Sequence, residues 1–450
     1  MRDPLGKISF EGEFVIREIY SSITDTHFLK SPLAKRWVEQ GLLIPYEFID
    51  SNTIRSPRLP FLTLPSEWTS QQFYAAAQFT LQLQTEAVAE GWDLKDASAW
   101  NIVFNGLNPV FVDLLSFIPL ESKLWRAAGQ FSRHFLLPLL LGKKNRLQPQ
   151  QCMQLWRDGV PPKSARELLG FDRFFTRYWP LMTGGESQSS ATQTHTITTT
   201  ATELDTVKVF RTHLQSTLKW MLDGVCPKGQ KAHSTVWGQY EQERTHYSET
   251  LLAFKRQIIG QWLDNIKPAW VLDLGCNAGE FSELAINTGA KSICWDADHQ
   301  ALNTLFLRHS QENTASHYFP ILCPIDDLSS GRGWMGKEFP SLMHRLHQSC
   351  DVVMLLAITH HLAIAAGVRL DDIFLFVAHI SRRAVFLELL SEKDIRVVEL
   401  CNHFNRDPSE FTIEKQLLAA MAAGFQSVQR AHQDFDDTRE FVWMEHKPAI

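Results

Sequence analysis

The apolar positions of the C-terminal half fall in short continuous runs separated by amphipathic stretches, the pattern of buried strands alternating with helices. Trp270 to Leu274 is the first run, broken only by Asp273; Gly275 and Gly279 follow, and a helical pattern opens at Glu280. Later runs predict a second strand from Ser292 to Trp295 ending in Asp296, and a third in YFPILCPIDDL ending in Asp326 and Asp327. A fourth lies within Asp351 to Ile364, apolar from Val352 through Ile358, and a fifth is AVFLELL. The tail TIEKQLLAAMAAGFQSVQRA reads as an amphipathic helix, a turn at Gly424 and a strand, and TREFVWME as a last strand. In the N-terminal half a long helix runs from Ser70 to Glu90, and NIVF and PVFVD form an apolar hairpin. LWRAAGQFSRHFLLPLLL, PPKSARELLGFDRFFTRYWPLM and ELDTVKVFRTHLQSTLKWML carry helical apolar faces. The expected fold is an α/β domain with a mostly parallel sheet, preceded by a mainly helical α+β domain.

The stretch 183–204 is rich in Ser, Thr and Gln and nearly free of charge, which reads as a linker. It divides the chain into an N-terminal domain (1–182), the linker (183–204), a helical connector and lid (205–260) and the α/β domain (261–450). A length of 450 residues suits two or three domains, and 29 Phe and 14 Trp suffice for cores without covalent staples. The net charge of −6 counts against a general nucleic-acid surface. The seven cysteines form no C-x-x-C pair and read as reduced core thiols, pointing to a cytoplasmic compartment. The opening MRDPLGKISFEGEF lacks the apolar core of a signal peptide, and the longest apolar run, FLLPLLLGKK, is too short to span a membrane.

The chemistry concentrates in VLDLGCNAGEFSELA, residues 271–285. A strand, a glycine turn and a helix opening place free N–H groups and the positive end of a helix dipole over one spot. A dinucleotide fold requires a glycine at the middle of G-x-G-x-x-G, where Asn277 stands. Asp273, two residues before the first glycine, repels a pyrophosphate and suits the ammonium of an amino-acid cofactor. This resembles motif I of the class I S-adenosylmethionine-dependent methyltransferases, with Asn277 in place of one glycine. Read together with WDAD, GRGW, HHLAI and LELLSEKD, the segment is similar to a bacterial group that includes rhizobial nodulation-type methyltransferases.

The resemblance implies a Rossmann-like domain with a seven-stranded, mostly parallel sheet, and a cofactor site of Asp273, Gly275, Asn277, Gly279, Asp296, Asp327 and Ala357. Asp296 would accept the ribose hydroxyls, Asp327 the adenine amine, and Asp298 caps the next helix. A leading helix would act as a lid, with Lys255 meeting the cofactor carboxylate and its aromatics Trp237, Tyr240 and Tyr247 free to stack on cofactor or substrate, though packing is the favoured role for Trp237 and Tyr240. Ala357, Ile358, Thr359, His360 and His361 would line the methyl group at the end of the fourth strand. His360 or His361 is the candidate general base, against the alternative that both pack or cap. Glu388 interrupts an apolar run; it faces the substrate or pairs with Arg382, Arg383 or Lys393. The expected activity is methyl transfer to a small molecule or glycan, lodged between the helical region and the sheet. The alternatives are an RNA or protein methyltransferase and a non-catalytic cofactor-binding protein. No metal cluster with recognisable ligand spacing appears.

Upstream, GWDLKDASAWNIVFNGLNPVFVDLLSF has the shape of a kinase catalytic loop: Asp96, then Asn101, then a hairpin ending in Asp113. Leu94 replaces the histidine, Leu114 and Leu115 follow Asp113 where Phe-Gly is usual, and no glycine-rich phosphate loop or strand lysine is evident in GKISFEGEFVIREIY. The segment reads as a kinase-like scaffold serving substrate recognition or domain packing, with magnesium at Asp96, Asn101 and Asp113 only if phosphotransfer is live.

Overall fold

The computed structural model describes residues 6–20, 26–183, 201–227, 248–433 and 436–447. The chain folds as two units, Met1–Lys231 and Ala232–Ile450. In the first, alternating side chains build an antiparallel sheet from β1 (Gly6–Glu11), β2 (Phe14–Ile19), β3 (Glu47–Phe48) and β4 (Thr53–Pro57), in the order β1-β2-β4-β3. The helix Ser70–Ala89 starts where the sequence places it, because Thr69 and Gln72 satisfy each other's backbone N–H in a capping box. β5 (Trp92–Leu94) leads from it to the hairpin of β6 (Ile102–Asn105) and β7 (Asn108–Phe111), and β5 pairs with β8 (Phe117–Pro119). Phe28, Trp37 and Phe117 pack ring on ring in the core.

The helix Ala201–Gly224 belongs to this unit: Arg211 is fully buried and paired to Asp93, which also accepts from Gln84 (2.9 Å). The helix Glu249–Ile266 belongs to the second unit, where Ile259, Trp262 and Leu263 pack on Phe386 and Trp443. The expected connector over 205–260 is therefore divided between two cores, since each helix has an apolar face that only its own unit covers. Trp237, Tyr240, Tyr247 and most of the expected linker lie outside the described residues.

The second unit is built on seven strands: β9 (Trp270–Leu274), β10 (Lys291–Asp296), β11 (Tyr318–Leu322), β12 (Cys350–Leu356), β13 (Ser381–Leu390), β14 (Phe425–Gln433) and β15 (Asp436–His446). Their order is β11-β10-β9-β12-β13-β15-β14; the first five are parallel, β15 runs antiparallel to β13, and β14 antiparallel to β15. The order reverses between β9 and β12, and ligands of open α/β sheets gather outside the carboxyl ends of the strands at such a switch point. Two strands end earlier than their apolar runs. β11 stops at Leu322: Cys323 donates one last bond to the Asp296 carbonyl (3.1 Å), and Pro324 has no N–H to continue the ladder. β12 stops at Leu356 because Ala357 turns into the left-handed region (φ +60°). All seven cysteines are free thiols. Among the described residues no helix is long and apolar enough to cross a membrane.

Candidate active site at the carboxyl edge of the sheet

The turn after β9 bends where its residues permit it. Gly275 and Gly279 sit at φ +78° and +88°, and a Cβ on either would meet a neighbour, Ile358 Cδ1 at 3.0 Å and Leu305 Cδ1 at 2.7 Å. Asn277 takes φ +50°, tolerable for an asparagine whose Oδ1 accepts its neighbour Ala278 N–H (2.7 Å). Gly275 and Cys276 donate to the Trp295 carbonyl (2.8 and 3.1 Å), which locks the turn to the end of β10. Past Gly279 the helix Glu280–Asn287 begins, with no side-chain cap on its first amides.

Asp296 ends β10 beneath this turn. Its Oδ2 accepts from Asn277 N and its Oδ1 from Asp298 N, both at 2.7 Å. Burial raises the Asp296 pKa, and these amides oppose the shift. Asp298 accepts from Gln300 N and Ala301 N and so caps the helix His299–His309, as its spacing predicts. Asp326 and Asp327 are exposed in the loop beyond β11, not at a strand end.

Asp273 is buried inside β9 and accepts a hydrogen bond from Ser282 Oγ (2.7 Å). Burial pushes its pKa up to about 6, against the opposing pull of Ser282 and then of the nearby Lys255. Lys255 Nζ lies 2.6 Å from Glu388 Oε2 and 4.3 Å from the centre of the Phe281 ring. Lys255 is thus engaged by a carboxylate of the protein itself. Arg439 bridges Glu388 (2.8 Å) and Asp394 (2.9 Å), and all three are buried. The partners of Glu388 are therefore Lys255 and Arg439, whereas Arg382 reaches Asp351 and Arg383 the Ile266 carbonyl. Glu388 is thus fully buried and held by two cations, the pairing alternative realised with partners other than those near it in sequence.

Ala357 and Ile358 lead from β12 into a short turn of helix, His361–Ala365. Thr359 donates to Gln416 (2.9 Å), whose amide donates to the Leu390 carbonyl (2.9 Å), tying this turn to the end of β13. His360 is buried and its ring lies 4.1 Å from that of His361. Burial, then the charge of Arg396, lowers the His361 pKa to about 4. The turn after β9, Asp296 and the turn after β12 are thus brought together; Ser282, Gln416, Arg439 and Asp394 complete the edge with no motif to announce them.

In the first unit, Asn101 Nδ2 donates to the Asp96 carbonyl (3.3 Å), and Asp96 accepts from Ser98 N (3.1 Å) and Gln130 Nε2 (2.8 Å). Burial and then Asp113 raise the Asp96 pKa, so the two carboxylates lie within electrostatic reach. Asp113 is paired to Arg17 of β2 (3.2 Å) and accepts from Ser116. Arg17, the basic residue of VIREI, occupies the strand where no lysine was evident.

No protein-family model matches the chain. It is 28% identical over 410 residues to nodulation protein NoeA of Rhizobium meliloti (strain 1021), covering 87% of this chain and 84% of that one. Among solved structures it is similar to the N-methyltransferase NodS from Bradyrhizobium japonicum WM9 in complex with S-adenosyl-L-homocysteine, at 12% identity and a TM-score of 0.33 over 46% of this chain and 92% of that one. It is also similar to the bifunctional kinase-methyltransferase WbdD, at 16% identity and a TM-score of 0.32 over 47% of this chain and 43% of that one.

Proposed function

We propose that the chain is an S-adenosylmethionine-dependent methyltransferase acting on a small-molecule or glycan acceptor, with the cofactor at the carboxyl edge of the second unit. The observation that carries this reading is the turn Gly275–Gly279 closed over Asp296 at the point where the strand order reverses. It sets the Asp296 carboxylate beside the start of the helix Glu280–Asn287, whose first amides carry no side-chain cap, and this pairing suits an adenosine with an amino-acid tail. Asp296 holds the ribose hydroxyls, Asp273 lies toward the ammonium, and Asp327 reaches the adenine amine from its loop. When bound, the cofactor supplies a methyl group made electrophilic by the sulfonium. The turn Ala357–His361 aligns the acceptor for in-line displacement, and much of the rate comes from that alignment. The acidic chain makes RNA the weaker acceptor class. The first unit serves as a kinase-like scaffold for acceptor recognition.

Calorimetric titration with S-adenosylhomocysteine tests the reading: saturable one-site binding is expected, and its absence, or binding of ATP with magnesium alone, would move the functional centre to Asp96, Asn101 and Asp113. For the proton acceptor, His361 is the better placed of the two histidines because it is the less buried. With its pKa near 4 the ring is neutral, and able to accept a proton, throughout the neutral range. The rate should therefore show no acid limb near the usual histidine value of about 6.5. His361→Asn should lower kcat by at least about 100-fold while S-adenosylhomocysteine affinity holds. An unchanged kcat in that variant would remove His361 from the mechanism.

A further inference from the structure

Asp273 poses a physical problem for any site that captures an ammonium. A carboxyl group shut away from water tends to take up a proton, and a neutral acid has no charge to offer. Ser282 donates from its hydroxyl and its backbone N–H, and these neutral donors do not offset complete burial. The charged neighbours are Lys255 from the helix Glu249–Ile266 and Asp296 from β10; the second opposes ionisation, and Cys276 brings no positive charge. The lysine does not owe its position to Asp273. It is fastened 2.6 Å from Glu388 on β13, two strands away from β9, and Glu388 is fastened in turn by Arg439. The register pairs Asp273 with Met354 and Met354 with Phe386, so Asp273 shares a face of the sheet with Glu388, two residues further along β13. The helix that carries Lys255 packs on that face, and Asp273, Lys255, Glu388, Arg439 and Asp394 thus alternate in sign along it. With all five ionised the row carries one net negative charge, the complement of a cofactor's ammonium.

We propose that Lys255 is a positioning residue for the cofactor: anchored by Glu388, its ammonium keeps the buried Asp273 a carboxylate, so that the methionyl ammonium meets an anion at neutral pH. This rests on the methyltransferase reading and assigns Lys255 to the protein's own acid in place of the cofactor carboxylate.

The test uses the full-length chain and S-adenosylhomocysteine, titrated calorimetrically from pH 5.5 to 8.5. The unaltered protein should lose affinity as pH falls below about 6, where Asp273 takes up its proton. In Lys255→Met the fall should begin at least about one pH unit higher, giving about 2-fold weaker binding at pH 7, about 8-fold weaker binding at pH 5.5 and near-normal binding at pH 8.5. Lys255→Arg should follow the unaltered protein. A loss in Lys255→Met that is the same factor at every pH, or no loss, would overturn the proposal while leaving the methyltransferase reading intact. A second readout needs no cofactor. The folded-state pKa of Asp273 stands above its unfolded value, so ionising it lowers stability as pH rises through the folded pKa. Removing Lys255 enlarges that loss, so the fall in Tm caused by Lys255→Met should be larger at pH 8 than at pH 5, and this difference should shrink in an Asp273→Asn background. An unchanged difference in that background would overturn the coupling, even if the unaltered protein proved not to bind S-adenosylhomocysteine and the methyltransferase reading failed by itself.

Discussion

Asp296→Ala is expected to weaken S-adenosylhomocysteine binding by about 100- to 10,000-fold, from two charge-assisted hydrogen bonds worth about 1.5–3 kcal/mol each. Each carboxylate oxygen accepts one backbone amide, from Asn277 and from Asp298, which fixes the group under the glycine turn. Each oxygen keeps a further lone pair for a ribose hydroxyl. Asp298 provides the control. It is two residues away and carries the same side chain, but its Oδ1 is spent on Gln300 N and Ala301 N. Asp298→Ala should therefore cost about 1 kcal/mol of stability, as loss of a helix cap does, with affinity nearly unchanged. Calorimetry on both variants decides the matter; the reverse outcome would exchange the two roles.

Arg439→Met is expected to be the most damaging of the substitutions considered for stability. It leaves Asp394 and one oxygen of Glu388 without their cation in a buried setting, at a cost of about 3–5 kcal/mol. For a unit of this size that corresponds to a fall of about 10 °C in the melting of the C-terminal unit. Neutralising Asp394 as well, in Asp394→Asn/Arg439→Met, should recover much of the loss, because Glu388 keeps Lys255 and the damage comes from uncompensated charge and not from lost volume. Glu388→Gln by itself separates structure from catalysis. If Glu388 were the proton acceptor, that variant would keep its Tm and lose turnover; a scaffold residue instead shows turnover that follows stability. Differential scanning calorimetry and a methyl-transfer assay on the same preparations read both.

Much of the second unit is legible in the residues before any coordinates. The apolar runs locate its strands, because a strand buried on both faces needs an unbroken hydrophobic run, and Gly275, Asn277 and Gly279 announce the turn because few other residues accept positive φ there. Asp296 and Asp298 follow from their spacing, and the cap on the helix His299–His309 is where Asp298 predicts it. The limits of the strands were less legible. Cys323 to Ile325 and Ala357 to Ile358 continue the apolar composition of β11 and β12, but Pro324 and the left-handed Ala357 end the ladders.

What the sequence by itself determined is the order of elements, the glycine turn and the acids that close it, since these depend on backbone preference and on neighbours a few residues apart. Only the tertiary structure decided the partners of the buried charges. Lys255 and Glu388 are separated by more than a hundred residues, and nothing local distinguishes Arg439 from Arg382 or Arg383 as the cation that meets Glu388. The same holds for Arg17 and Asp113 in the first unit. An ion pair is chosen by which side chains share a face once strands are ordered and helices docked, and strand order across a sheet is set by the packing of the whole unit rather than by any segment of it.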